Sequence, residues 1–200
     1  MRALNQYRHW VFDMDGTLTL AVHDFAAIKR ELGIAPEDDI LGALAKLPAT
    51  EAAEKHAWLL AHERELAHNS IAAEGACELI RQLHQRGVKL GILTRNAHEL
   101  ALLTLEAIGL LECFDPAAIL GRESAAPKPD PAGLLQLAKL WGVPSSELLM
   151  VGDFVYDLQC ARAAGATSML VNRPDNLWPE VTDWHAQDCT HIQQWLEQSV

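Results

Sequence analysis

Four short stretches carry residue types that could act together on one substrate. Asp13 and Asp15 sit two positions apart in Asp13-Met14-Asp15-Gly16-Thr17. Two carboxylates in one turn can face one small volume, one attacking as a nucleophile while the other serves as acid and base. Gly16 would let the backbone approach a ligand closely; an Asp-Gly hairpin turn is the plainer alternative. In Leu93-Thr94-Arg95-Asn96, a threonine hydroxyl and nearby amides could hold a phosphoryl oxygen, or Thr94 or Asn96 could simply cap the next helix. Lys128 lies between Pro127 and Pro129. An ammonium so constrained could neutralise a carboxylate and a transferring phosphoryl group, or be a solvated loop lysine. Asp153 and Asp157 are four apart in Val151-Gly152-Asp153-Phe154-Val155-Tyr156-Asp157. Hard oxygen donors of this kind suit Mg²⁺; a pair of helix-capping aspartates is the other reading.

The elements that must position these residues follow from the hydrophobic pattern. Trp10-Val11-Phe12 reads as a buried strand running into the Asp13 turn. From Glu74 onward, helix and strand alternate. Helices are expected at Glu74 to Arg86, Ala97 to Ile108, Pro131 to Trp141, Asp157 to Ala164 and about Thr190 to Gln198. Strands are expected at Val88 to Leu93, Ala117 to Leu120, Leu148 to Val151 and Thr167 to Val171. This alternation predicts an α/β fold, a Rossmann-like three-layer core with a mostly parallel sheet and helices on both faces. Chemistry in such sheets gathers at the carboxyl ends of the strands, and each of the four stretches falls at the end of an expected strand or just before a helix. Between Leu20 and Ala73 there is no strand signal. Asp24 to Leu32 and Thr50 to His68 have helical spacing, and Ala35 to Asp39 reads as a linker or helix start. The stretch is expected to be a small all-helical insertion after the first strand.

The chain has 200 residues, half of them hydrophobic and 22% charged, an ordinary globular balance that excludes disorder and low complexity for its bulk. A net charge of −11 argues against nucleic acid or an anionic membrane surface as partner. Cys77, Cys113, Cys160 and Cys189 are widely spaced without a CxxC pair, so they are expected to be reduced and structural. The polar stretch Met1 to Trp10 has no secretory pattern, and no run reaches the length of a membrane span. A cytoplasmic location is expected. A monomer or small homo-oligomer fits such a chain.

Taken as an ordered set, Val11 to Thr19 (VFDMDGTLT), Ile92 to Asn96 (ILTRN), Pro127 to Pro131 (PKPDP) and Val151 to Asp157 (VGDFVYD) resemble the haloacid dehalogenase superfamily. The likeness is to its phosphoglycolate phosphatase and β-phosphoglucomutase subgroup with a small helical cap. The resemblance implies that Asp13 attacks phosphorus to form an aspartyl-phosphate, while Asp15 protonates the leaving alcohol and then activates water. It implies that Thr94, Arg95 and Lys128 hold the phosphoryl group, Lys128 also being catalytic. It further implies that Asp13, Asp153, Asp157 and Asp15, the last through its backbone carbonyl, form a Mg²⁺ site. Residues 1–19 and 74–200 would be the Rossmann-like catalytic core and 20–73 the cap.

The motif spacing agrees with a cap at that place: Thr17 to Thr94 spans 77 positions and Thr94 to Lys128 only 34. His23, Lys29, Lys46 and Arg95 are candidate specificity residues, the first three also compatible with a solvated helix face. His56, His62 and His68, spaced by six, would spread around a helix rather than form a metal site. Trp10, Trp58 and Trp141 are expected to pack in core or cap. The implied activity is a Mg²⁺-dependent phosphatase acting on a small phosphorylated metabolite. A phosphosugar mutase keeps the same four motifs and is the runner-up, and a non-catalytic phosphoester-binding module is the third reading. The presence of Asp15 speaks against a true dehalogenase.

Overall fold

The computed structural model describes residues 2–21, 25–38 and 40–198. Its first apolar run forms β1 (His9–Phe12). The other strands are β2 (Lys89–Leu93), β3 (Ile119–Leu120), β4 (Leu148–Gly152), β5 (Thr167–Leu170) and β6 (Trp184–His185). They form one sheet in the order β3-β2-β1-β4-β5-β6, with every pairing parallel. A parallel sheet must be covered on both faces, and the alternation of side chains shows how. Trp10, Phe12, Leu90, Ile92, Leu149 and Val151 enter one apolar cluster, whereas Val11, Leu93, Leu148 and Met150 enter the other. The first face is covered by α4 (Ala76–Gln85), α5 (His98–Ala107) and α8 (Cys189–Gln198), the second by α6 (Ala132–Trp141) and α7 (Val155–Ala164).

These elements match the expected alternation, with differences of local cause. The stretch expected as a strand from Ala117 begins as a 3-10 turn (Pro116–Ala118), because the Asp115 side chain accepts a hydrogen bond from the Ala117 amide at 2.9 Å. The Trp-rich end contributes β6, whose two residues are too few for a periodicity signal. There Trp184 packs on Trp195, ring centroids 5.6 Å apart. The cysteines are free thiols, as expected. No helix among the described residues is long and apolar enough to cross a membrane.

Three helices lie in the insertion: α1 (Phe25–Leu32), α2 (Ile40–Leu44) and α3 (Ala49–His68). The stretch read as a linker or helix start, Ala35 to Asp39, leads directly into α2, whose five residues barely exceed one turn. Ile28, Leu32, Leu44 and Leu59 give the three helices an apolar centre of their own. The insertion leaves and rejoins the sheet domain through a short antiparallel pairing. Leu20 N donates to Ile71 O and Ala73 N to Leu18 O, both at 2.9 Å. The C-terminal half of α3 rests on α5 through Ala67, Ala97 and Leu100, reinforced by Arg64 and Glu99 at 3.0 Å. His56 and His68 are exposed and His62 half-buried on α3. Trp58 is not packed in a core as expected; it is exposed and stacks on His62, four residues on.

Candidate active site

The carboxyl ends of β1, β2 and β4 converge where the strand order turns from β1 to β2 on one side and to β4 on the other. That is the crevice where open parallel sheets bind ligands. Asp13 is the first residue past β1, and its amide still donates to Val151 O at 2.9 Å, so it is fixed as firmly as a strand residue. The chain then folds back at once: the amides of Thr17, Leu18 and Thr19 all donate to Met14 O. Gly16 stands at φ +82°, and a Cβ there would lie 2.6 Å from Asp153 Oδ2. The glycine is therefore required by the approach of Asp153. Gly152 makes equivalent room for the Asp157 side chain. Asn172, after β5, donates through Nδ2 to Gly16 O at 2.8 Å and Thr17 O at 2.9 Å, holding the turn from the other side.

Lys128 reaches this turn from the loop between β3 and α6. Its Nζ donates to Asp13 Oδ1 at 2.5 Å and to Asp157 Oδ1 at 2.6 Å, with only 4% of the side chain exposed. It is thus no solvated loop lysine. Burial works to lower its pKa, but the Asp13 and Asp157 carboxylates together raise it above the ordinary value, so it remains an ammonium. Asp157 also accepts from the Phe154 amide through Oδ2 at 3.2 Å, capping α7. The helix-capping reading of this residue holds, and its other oxygen pairs with Lys128.

Asp13, Asp153 and Asp157 each bring one carboxylate oxygen within 4.8 Å of the others. Burial raises the pKa of all three, that of Asp157 to about 7, while Lys128 opposes the rise at Asp13 and Asp157. Asp153 is raised further by Asp13 and opposed by Arg173. Three hard oxygen donors in mutual repulsion are the donor chemistry that a small divalent cation satisfies. The Asp15 carboxylate is not one of the three; its Oδ2 accepts from Asn96 Nδ2 at 2.6 Å.

Neither Thr94 nor Asn96 caps α5. Thr94 Oγ1 accepts from the Asn96 amide at 3.1 Å, while the Thr94 amide donates to Leu120 O at 3.0 Å, extending the sheet. Asn96 O accepts in turn from the Arg122 amide at 2.8 Å, so the residue that holds Asp15 is tied on three sides. Arg173 was not foreseen. Its Nε donates to Asp153 O at 2.8 Å and its Nη2 to Asp153 Oδ2 at 3.0 Å. Asn172 and Arg173 follow a buried strand, and nothing in their local sequence marks them.

A cavity of about 620 Å³ opens over these groups, lined by Asp13, Asp15, Thr94, Lys128, Asp153 and Asp157 from below and by insertion residues that include Lys29 and Leu59. Among the candidate specificity residues, Lys29 and Arg95 line it and Lys46 does not. His23 lies outside the described residues.

Comparison with known proteins agrees with this geometry. A family model of haloacid dehalogenase-like hydrolases matches residues 7–165. The chain is 30% identical, over 89% of its length and 76% of the relative's, to a haloacid dehalogenase-like hydrolase domain-containing protein of Arabidopsis thaliana. It is 31% identical to a phosphoglycolate phosphatase of Rhodospirillum rubrum, over 81% of this chain and 78% of that one. A hydrolase from Pseudomonas syringae superimposes with a TM-score of 0.73 at 28% identity, covering 96% of this chain and 98% of that one. With its four motifs gathered at one sheet edge, the chain belongs to the haloacid dehalogenase-like hydrolase family.

Proposed function

We propose that this hydrolase is a Mg²⁺-dependent phosphatase that cleaves a small phosphomonoester through an aspartyl-phosphate on Asp13. The observation that carries the reading is the Lys128 bridge between Asp13 and Asp157, beside a second carboxylate, Asp15, held separately by Asn96. One carboxylate is neutralised for attack on an anion, and the other is kept apart for proton transfer. The phosphatase named among its relatives supports the same chemistry.

In this reading an Asp13 oxygen attacks phosphorus while the bond to the leaving oxygen breaks, and Asp15 donates its proton to that oxygen. Asp15, now a carboxylate, takes a proton from water. The water oxygen attacks phosphorus, the bond to Asp13 breaks, and phosphate leaves. The Thr94 hydroxyl and Lys128 hold the phosphoryl oxygens, with Arg95 at the same edge of the cavity. Asp13, Asp153 and the Asp15 backbone carbonyl would hold Mg²⁺, with Asp157 supporting the metal site and also pairing with Lys128. The cation, when bound, offsets negative charge on the phosphoryl group. Residues 20–73 act as a cap over the core of residues 1–19 and 74–200, narrowing access of water. Catalysis is mainly positioning and electrostatics.

The test is free phosphate release from a panel of small phosphomonoesters with and without Mg²⁺, using Asp13→Asn as blank. Metal-dependent release absent from the variant is expected. Release that persists in chelator, or in Asp13→Asn, would overturn the mechanism.

A further inference from the structure

The cavity is large for a two-carbon phosphoester: about 620 Å³ falls among sites of roughly 300–1,000 Å³ that enclose drug-sized ligands. Two aromatic rings line it at the turn from β4 into α7. Phe154 is 42% exposed and Tyr156 39% exposed. They meet edge to face with centroids 5.1 Å apart and planes at 88°. Trp178 stands against Phe154 at 5.4 Å and 77°, so the Phe154 ring is held from two sides before any ligand arrives. The Arg95 guanidinium lies over the Tyr156 ring at 5.8 Å.

The cations elsewhere in the cavity are engaged within the protein, Lys29 by the Pro36 carbonyl at 2.6 Å and not by an opposite charge. Lys128 pairs with Asp13 and Asp157, Arg173 with Asp153, and Arg122 with Glu63 at 3.8 Å. What the cavity offers a leaving group beyond the phosphate is therefore aromatic surface more than free cationic charge. Exposed rings fixed in a polar site gain most from a second flat π-face, and a guanidinium plane adds to the same stack.

Resting on the phosphatase reading, we propose that the leaving alcohol carries a flat unsaturated ring of nucleoside size, lying between Phe154 and Tyr156, face to face with one ring and edge-on to the other as their 88° planes require. The probes are adenosine 5′-monophosphate and ribose 5-phosphate, which present the same phosphorylated pentose with and without the ring. Phosphate release with Mg²⁺ is expected to give a KM for adenosine 5′-monophosphate roughly 5- to 100-fold lower. That ratio is expected to collapse toward one in Phe154→Leu and in Tyr156→Leu. Equal KM values in the wild-type protein, or a ratio unmoved in both variants, overturns the proposal. Calorimetric binding of the two probes to Asp13→Asn reads the subsite without turnover. Tighter binding of adenosine 5′-monophosphate with no phosphate release by the wild-type protein would sink the phosphatase reading and uphold the ring subsite. Equal binding, or none, overturns the subsite whatever the turnover.

Discussion

Arg173 grips Asp153 at two points, its Nε on the backbone carbonyl at 2.8 Å and its Nη2 on the carboxylate Oδ2 at 3.0 Å. The other carboxylate oxygen, Oδ1, takes only a long contact from the Thr17 hydroxyl at 3.4 Å. One oxygen is thus anchored by a cation while the other keeps capacity to spare.

Removing this anchor has two opposed effects on a bound cation. It deletes a positive charge, which favours binding, and it frees the Asp153 rotamer, which disfavours it. The Arg173 side chain is 43% exposed, so solvent screens its repulsion, and loss of orientation wins. Arg173→Ala is expected to weaken Mg²⁺ binding roughly tenfold, with partial recovery in Arg173→Lys. Calorimetric titration of Mg²⁺ checks this; unchanged affinity in the alanine variant would show that Asp153 needs no anchor.

Asn96 positions Asp15 without reaching the substrate phosphate in the proposed scheme. Asn96→Ala is expected to lower kcat by about 10²-fold, as misplacement of a proton donor does, with KM little changed. A variant that lost stability but kept kcat, or in which KM changed as much as kcat, would assign Asn96 a structural role only.

Asp157 gives the metal-free protein a pH-dependent cost. Its carboxyl has an ordinary pKa of 3.8 in the unfolded chain and is raised by burial to about 7 in the folded one. Between those values the folded state binds more protons than the unfolded state. Stability from this group is therefore full below about pH 4 and is lost as pH rises through about 7. Asp157→Asn resembles the protonated residue at all pH values. Thermal unfolding in chelator is expected to show wild type losing ground to this variant from pH 5 to pH 8. Parallel curves would mean that Lys128 keeps Asp157 ionised throughout.

Gly16→Ala places a methyl group against the Asp153 carboxylate at a backbone angle that L residues rarely adopt. The strain is worth about 1–3 kcal/mol, and each kcal/mol lowers Tm by about 2–4 °C in a chain of this size. Loss of phosphate release is expected along with the fall in Tm, since Asp153 must move. Normal Tm and normal turnover would mean that the turn has another conformation available.

The sequence by itself determined most of the sheet and where the candidate site residues fall along it. Buried parallel strands are short continuous apolar runs, so Trp10 to Phe12 and Leu148 to Val151 announced themselves, and an acidic residue follows each within two positions. Short elements were only partly legible: α2 showed only as a linker or helix start ahead of it, β6 is too brief for a period to show, and the Asp115 side chain turned half of an expected strand into a 3-10 turn. The tertiary structure alone decided which groups hold the acidic ones. Asn96 meets Asp15 across 81 positions and Lys128 meets Asp13 across 115. Arg173 and Trp178 come from a C-terminal stretch with no pattern of its own. A hydrogen bond between distant residues depends on where strands lie in the sheet, and local composition carries no record of that order. The apolar pattern states that β1 and β4 are buried; only their parallel pairing sets Asp13 beside Asp153 and gives Gly16 its reason to be glycine.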